Sequence, residues 1–177
     1  MIIKVHDIAE KVRCMQACEP VADYKPLLDL QNDGVCTFLE PLSLDFKAFR
    51  EYDHIRVEGR VETRVSLSCA RCLAAYDAQL DSSFTIFYTK DRGVPQDEEV
   101  ELTERELISA TYEGDEIDLA PEVAEHVIME LPVKPLCSEN CRGLCSRCGI
   151  DLNNSSCDCD TKGGGSAFSA LKNLKLD

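Results

Sequence analysis

His54-Ile55-Arg56-Val57-Glu58-Gly59-Arg60-Val61-Glu62-Thr63-Arg64-Val65-Ser66-Leu67-Ser68 is the clearest periodic stretch of the chain. Ile55, Val57, Val61, Val65 and Leu67 are apolar at odd positions, and Arg56, Glu58, Arg60, Glu62, Arg64, Ser66 and Ser68 are polar at even ones. Successive side chains of a strand point to opposite faces, so a period of two predicts a long strand with one buried face. Gly59 interrupts the pattern and predicts a bulge or bend. The polar face alternates Arg with Glu, which suits pairing with neighbouring strands. An arginine ladder facing RNA is the sharper alternative, and Glu58 and Glu62 weaken it. The next apolar run, Ala78–Thr89, carries Phe84, Ile86, Phe87 and Tyr88 and reads as a second strand antiparallel to the first. Cys69-Ala70-Arg71-Cys72 falls in the connection, at the tip of the predicted hairpin.

Signals weaken away from this hairpin. Upstream, Ile2–Val5 suits a short strand and Lys11–Cys18 a helix or loop. Asp33-Gly34 reads as a turn, and Pro41 separates Val35–Leu39 from Leu42–Phe49. Downstream, residues 91–100 read as a loop, Val100–Tyr112 fits neither period, and Glu113-Gly114-Asp115 is a turn. Asp118 can cap a helix with Pro121 in its first turn. Leu119, Val123, Val127, Ile128 and Leu131 share one face of that helix, and Pro132 ends it at Leu131. His126 lies near its polar side and reads as a surface residue, as do His6 and His54. The fold class expected is α+β, an antiparallel β-rich sheet or partial barrel with a packed helix and a C-terminal Cys-rich zinc-binding segment. Residues 1–133 form the β-rich domain and 134–162 the Cys-rich segment packed on it. Residues 163–177 form a glycine linker and a short helix with Phe168, Leu171 and Leu174 on one side.

The chain has 177 residues, enough for about one domain with an appendage. Hydrophobic residues make up 44% and charged residues 29%, which suits a soluble globular protein. No apolar run approaches the ~20 residues that span a bilayer. Met1-Ile2-Ile3-Lys4-Val5-His6-Asp7 lacks the pattern of a secretory signal, so the expected location is the cytoplasm. The net charge is −14, distributed as −3 over residues 1–90, −12 over 91–133 and +1 over 134–177. An acidic protein repels phosphates at long range, so any RNA contact must be local or must pass through a protein partner.

Eleven cysteines in a chain without an export signal point to metal binding or thiol chemistry rather than to disulfides. Eight are clustered, as Cys69-x2-Cys72, Cys137-x3-Cys141-x3-Cys145-x2-Cys148 and Cys157-x-Cys159. A structural zinc takes four thiolates in a tetrahedron, and a tight turn can aim two of them at one ion. Residues 137–160 hold too little apolar material to fold unaided and need such a staple. One partition joins Cys145, Cys148, Cys157 and Cys159, leaving Cys69, Cys72, Cys137 and Cys141 for a second site. The other joins Cys137, Cys141, Cys145 and Cys148, leaving Cys69, Cys72, Cys157 and Cys159. The first closes one site locally and is favoured, but spacing leaves both open. Two structural zinc ions are expected, and an iron–sulfur cluster is a lesser alternative. Cys14 and Cys18 have a helical ligand spacing yet, with Cys36, read as small core residues.

Several motifs together resemble the YceD family, which is named for accumulation of large-subunit ribosomal RNA. They are Cys69-Ala70-Arg71-Cys72-Leu73, Glu116-Ile117-Asp118-Leu119, Glu130-Leu131-Pro132, Pro135-Leu136-Cys137, and the run Cys141-Arg142-Gly143-Leu144-Cys145-Ser146-Arg147-Cys148-Gly149-Ile150-Asp151-Leu152-Asn153 followed by Cys157-Asp158-Cys159. The resemblance spans most of residues 35–177. It implies a bacterial or plastid protein acting in maturation or accumulation of that RNA. Where the family has an Asp-Pro-Arg-like start to its last helix, this chain has Gly163-Gly164-Gly165-Ser166-Ala167-Phe168.

The expected function is therefore a non-enzymatic zinc-binding factor in ribosome biogenesis. Its partner would be large-subunit rRNA, the pre-ribosome or a basic ribosomal protein, with no membrane and no small-molecule substrate. Candidate RNA contacts are Arg71, Arg142, Arg147, Lys172 and Lys175, near the metal sites. The alternatives are a thiol redox protein, which Cys69-x2-Cys72 alone permits, and an acidic chaperone for a basic ribosomal protein. No nucleophile elbow, paired-His metal motif or phosphate-cradling loop points to an enzyme.

Overall fold

The computed structural model describes residues 1–8, 12–52, 54–91 and 109–159. They divide into two compact units, one of Met1–Leu67 with Tyr76–Val133, the other of Ser68–Ala75 with the chain from Lys134 onward.

The first unit is built on the alternating stretch. Strand β4 (Leu42–Glu51), β5 (His54–Ser68) and β6 (Ala75–Lys90) are consecutive neighbours in one sheet. Residues 69–74 are too few for a parallel crossover, so β6 returns antiparallel to β5. The cross-strand pairs Arg60–Asp81 and Arg64–Asp77 keep that register. Along β5 the odd-numbered side chains are buried and the even ones are not. Thr63 is the polar member of the buried row, and its hydroxyl donates to the Glu40 carbonyl at 3.0 Å.

The sheet is open, in the order β2 (Arg13–Glu19), β4, β5, β6, β7 (Ser109–Tyr112), with β3 (Thr37–Phe38) also paired to β5. β2 replaces the helix or loop expected over Lys11–Cys18. Its seven backbone positions run antiparallel to β4, from Arg13 opposite Ala48 to Glu19 opposite Leu42. β6 and β7 are parallel. A separate two-stranded ribbon joins β1 (Ile2–Lys4) to β8 (Glu116–Asp118).

Gly59 makes no bulge, since β4 and β5 stay in register through Phe46 opposite Gly59. The glycine serves the aromatic rings instead: a Cβ there would lie 2.5 Å from Phe84 and 2.8 Å from Phe46. Those rings meet edge to face, with centroids 6.1 Å apart.

Two helices contribute to the core of this sheet. α1 (Lys25–Asn32) starts with Pro26 in its first turn and buries Leu27. Its short, mixed sequence gave no expectation of a helix. α2 (Ala120–Glu130) starts where the Asp118 carboxylate accepts the Ala120 N–H, and Leu131 before Pro132 is extended. Leu119, Val123, Ala124 and Val127 are buried, whereas Ile128 is exposed. His126 is not a free surface residue: its half-buried ring stacks on Phe84 at 4.1 Å with the planes 3° apart. The helix thus uses an imidazole to extend its apolar face over the aromatic pair. Residues 97–106 and the expected linker and terminal helix, 163–177, lie outside the described residues. Among the described residues no helix is long and apolar enough to cross a membrane.

Candidate metal centre

All eight clustered cysteines belong to the second unit. Two of its turns share one geometry. In the first, the Cys69 N–H donates to the Ala74 carbonyl and the Leu73 N–H to the Cys69 carbonyl, both at 2.9 Å. In the second, the Cys145 N–H donates to the Ile150 carbonyl and the Gly149 N–H to the Cys145 carbonyl, again both at 2.9 Å. Each is a Cys-x-Arg-Cys knuckle followed by a residue with positive φ, Leu73 at 61° and Gly149 at 74°. The turn needs the left-handed conformation, which glycine adopts freely and leucine at a cost of about 1–2 kcal/mol.

Each knuckle faces a second pair of cysteines. Cys69, Cys72, Cys137 and Cys141 form one quartet and Cys145, Cys148, Cys157 and Cys159 the other, with all sulfurs of a quartet within 4.8 Å of one another. The partition that closes one site locally is the one the chain adopts. Cys69 to Cys141 and Cys72 to Cys137 are each 3.7 Å between sulfurs. Disulfide sulfurs lie ~2.05 Å apart, and none of the eleven cysteines is bonded so. Thiolates at ~2.3 Å from a tetrahedral zinc lie about 3.8 Å apart, so the spacing suits such an ion.

The electrostatics of each quartet would suit a cation. The N–H of Cys137, with that of Cys72, draws the Cys69 thiol down to about 6. Neighbouring sulfurs, Cys141 first and then Cys72, push Cys137 up to about 12. In the other quartet the N–H groups of Cys148 and Arg147 bring Cys145 down to about 6, and Cys148 with Cys157 pushes Cys159 up to about 12. Four crowded thiols cannot all ionise alone. A divalent ion removes that repulsion and leaves a net charge of about −2.

The turn after the second knuckle supports the first quartet. The Asn153 side chain donates to the Cys141 sulfur at 3.4 Å and accepts the Arg142 N–H at 2.7 Å, which lowers Cys141. Gly143 has φ 71°, and a Cβ there would stand 3.1 Å from the Arg71 carbonyl. In the sequence, Gly143 and Asn153 stand only as members of the family-like run from Cys141 to Asn153.

The candidate RNA contacts fare differently. Arg71 is committed to backbone, donating to the Cys141 carbonyl at 2.8 Å and the Glu139 carbonyl at 3.2 Å. Arg142 and Arg147 are exposed, and Lys172 and Lys175 lie outside the described residues. The arginine ladder of β5 is tied to carboxylates: Arg56 to Glu58 and Glu51, Arg60 to Asp81 and Glu62, Arg64 to Glu40 and Asp77. Cys36 is a core residue, but Cys14 and Cys18 are exposed rather than buried. On a strand their four-residue spacing covers about 13 Å, too far to share an ion.

The chain is similar to curated proteins of plants and mycobacteria. An Arabidopsis thaliana protein named chloroplastic large ribosomal RNA subunit accumulation protein YCED homolog 1 is 24% identical over 156 residues, 76% of this chain and 49% of its own. The Zea mays protein of that name is 26% identical over 145 residues, 67% of this chain and 48% of its own. An uncharacterised protein of Mycobacterium leprae is 28% identical over 112 residues, 63% and 49% of the two chains. This chain thus spans about half the length of these relatives. No solved structure matches it significantly. The family model described as large ribosomal RNA subunit accumulation protein YceD matches residues 57–175, from the alternating strand through both cysteine quartets, and the chain belongs to that family.

Proposed function

We propose that this protein is a non-enzymatic factor supporting accumulation or assembly of large-subunit ribosomal RNA, acting in the cytoplasm with two structural zinc ions. The observation that carries the reading is that the match to the rRNA-accumulation family includes both four-sulfur clusters. Zinc suits the donor set, because four thiolates in a tetrahedron leave no open position for substrate. The role of the metal is to fold a segment that cannot bury a core of its own. A thiol redox role is disfavoured by the sharing of each cysteine pair with a second pair.

The test is capture of the tagged protein from its own cells at low and high salt, with bound RNA and protein identified. Enrichment of large-subunit precursor RNA that falls with salt supports direct phosphate contact. The net charge of −12 over residues 91–133 favours a second reading, an acidic holder of a basic ribosomal protein. Recovery of such a protein without RNA would support that one. Recovery of neither would overturn both.

A further inference from the structure

We propose that the two quartets are coupled through Asn153, so that filling either one tightens the other. The inference rests on the reading that both quartets hold zinc. Asn153 lies in the turn between Cys148 and Cys157, so closing the second quartet fixes where this turn stands. From that turn the side chain reaches a ligand of the other quartet, the Cys141 sulfur, at 3.4 Å.

The amide has one tenable orientation. Its Nδ2 also donates to Asp151 Oδ1 at 2.8 Å, and its Oδ1 accepts the Arg142 N–H at 2.7 Å. A flipped amide would set oxygen against carboxylate and lose the Arg142 bond, so the N–H must face the sulfur. Asp151 is anchored in turn by the Asn153 N–H at 2.9 Å and by Asn154 Nδ2 at 2.8 Å. The backbone is stitched beside it: the Leu152 N–H donates to the Gly143 carbonyl at 2.9 Å, and the Leu144 N–H to the Arg71 carbonyl at 3.2 Å. Arg71 belongs to the first knuckle, so the connection runs from one metal site to the other without a gap.

The quartets differ in what they need. The second is closed within residues 145–159. The first joins sulfurs 72 positions apart. Its closure costs more chain entropy, so the support from Asn153 counts for more there. A hydrogen bond to a thiolate stabilises its charge and orients it on the ion, and removing such an outer partner typically weakens metal binding about 10–100-fold. Linkage makes the effect reciprocal, the same factor applying in both directions.

The experiment is zinc titration of the full chain against a chromophoric chelator at fixed pH. The chains compared are the unaltered protein, Asn153→Ala, Cys157→Ser with Cys159→Ser, and the combination. Disabling the second quartet should weaken the first about 10–100-fold, Asn153→Ala should do the same, and the combination should add little. Asn153→Asp keeps the acceptor for Arg142 but has no N–H for the sulfur. It should behave like Asn153→Ala and shift the thiolate-to-metal absorption of the cobalt-loaded first quartet, which loss of turn packing alone would not do. Two zinc ions bound with unchanged first-quartet affinity in Asn153→Ala would overturn the coupling and leave the zinc reading standing. Fewer than two zinc ions on the unaltered protein would overturn both.

Discussion

A methyl group on Gly59 would stand 2.5 Å from the Phe84 ring. Gly59→Ala therefore overpacks a site where the Phe46 and Phe84 rings are already buried, and should cost about 1–3 kcal/mol in urea unfolding. His126 stacks on Phe84, and burial holds its imidazole below the ordinary value, against the opposing pull of Glu125 and Glu122. The unfolded chain takes up a proton near ~6.5. Between that value and the lower folded midpoint the unfolded state carries more protons, so stability falls as pH drops through this window and is retained above it. Titration of the His126 ring by NMR should give a midpoint below ~6.5, and a higher one would show that the stacked ring is charged.

At the scale of elements, the two knuckles are, on the proposed zinc reading, the parts that depend on metal. Amides in and just after the second knuckle, such as Gly149 and Leu152, are held by bonds internal to the second unit. Chelation should therefore abolish hydrogen-exchange protection over 68–75 and 134–159. The β4–β5 ladder has its own core of Phe46, Val57, Val61 and Val65 and should keep its protection. Acid would act through the same sulfurs: protons compete with the proposed zinc for thiolates, so metal release should rise as pH falls. Loss of β4–β5 protection on chelation would show that the first unit needs the metal too. The long strands were legible because alternation over β5 repeats for fifteen residues. The short elements were not. β2 carries Cys14 and Cys18, exposed on one face, and Met15 and Ala17, half-buried on the other, a contrast too weak to separate strand from helix. The eight residues of α1 give too few turns for a period to emerge.

For the whole molecule, charge sets how RNA can be held. With Arg56, Arg60 and Arg64 paired and Arg71 spent on carbonyls, Arg142 and Arg147 are left of the candidate cations among the described residues, and Lys172 and Lys175 lie outside them. Four phosphate contacts to single-stranded RNA correspond to a log–log salt slope of about −3. Filter binding of naked RNA should give a slope no steeper than that, reduced by Arg142→Ala with Arg147→Ala. A much steeper dependence would mean that another basic surface does the binding. At −14 overall, the chain repels phosphates at long range, which disfavours general contact with nucleic acid.

By itself the sequence determined the hairpin, the start of α2 beside Asp118 and Pro121, and the eight candidate ligands. Each of these rests on local chemistry: a side-chain period, a carboxylate before a proline, a thiol two residues from another thiol. Tertiary structure decided which cysteines share a quartet, why Gly59 is glycine, and what Asn153 holds. Those depend on groups far apart in the chain, as Cys69 and Cys141 are: spacing favoured the partition that closes one site locally, but only the folded backbone brings these distant sulfurs to 3.7 Å.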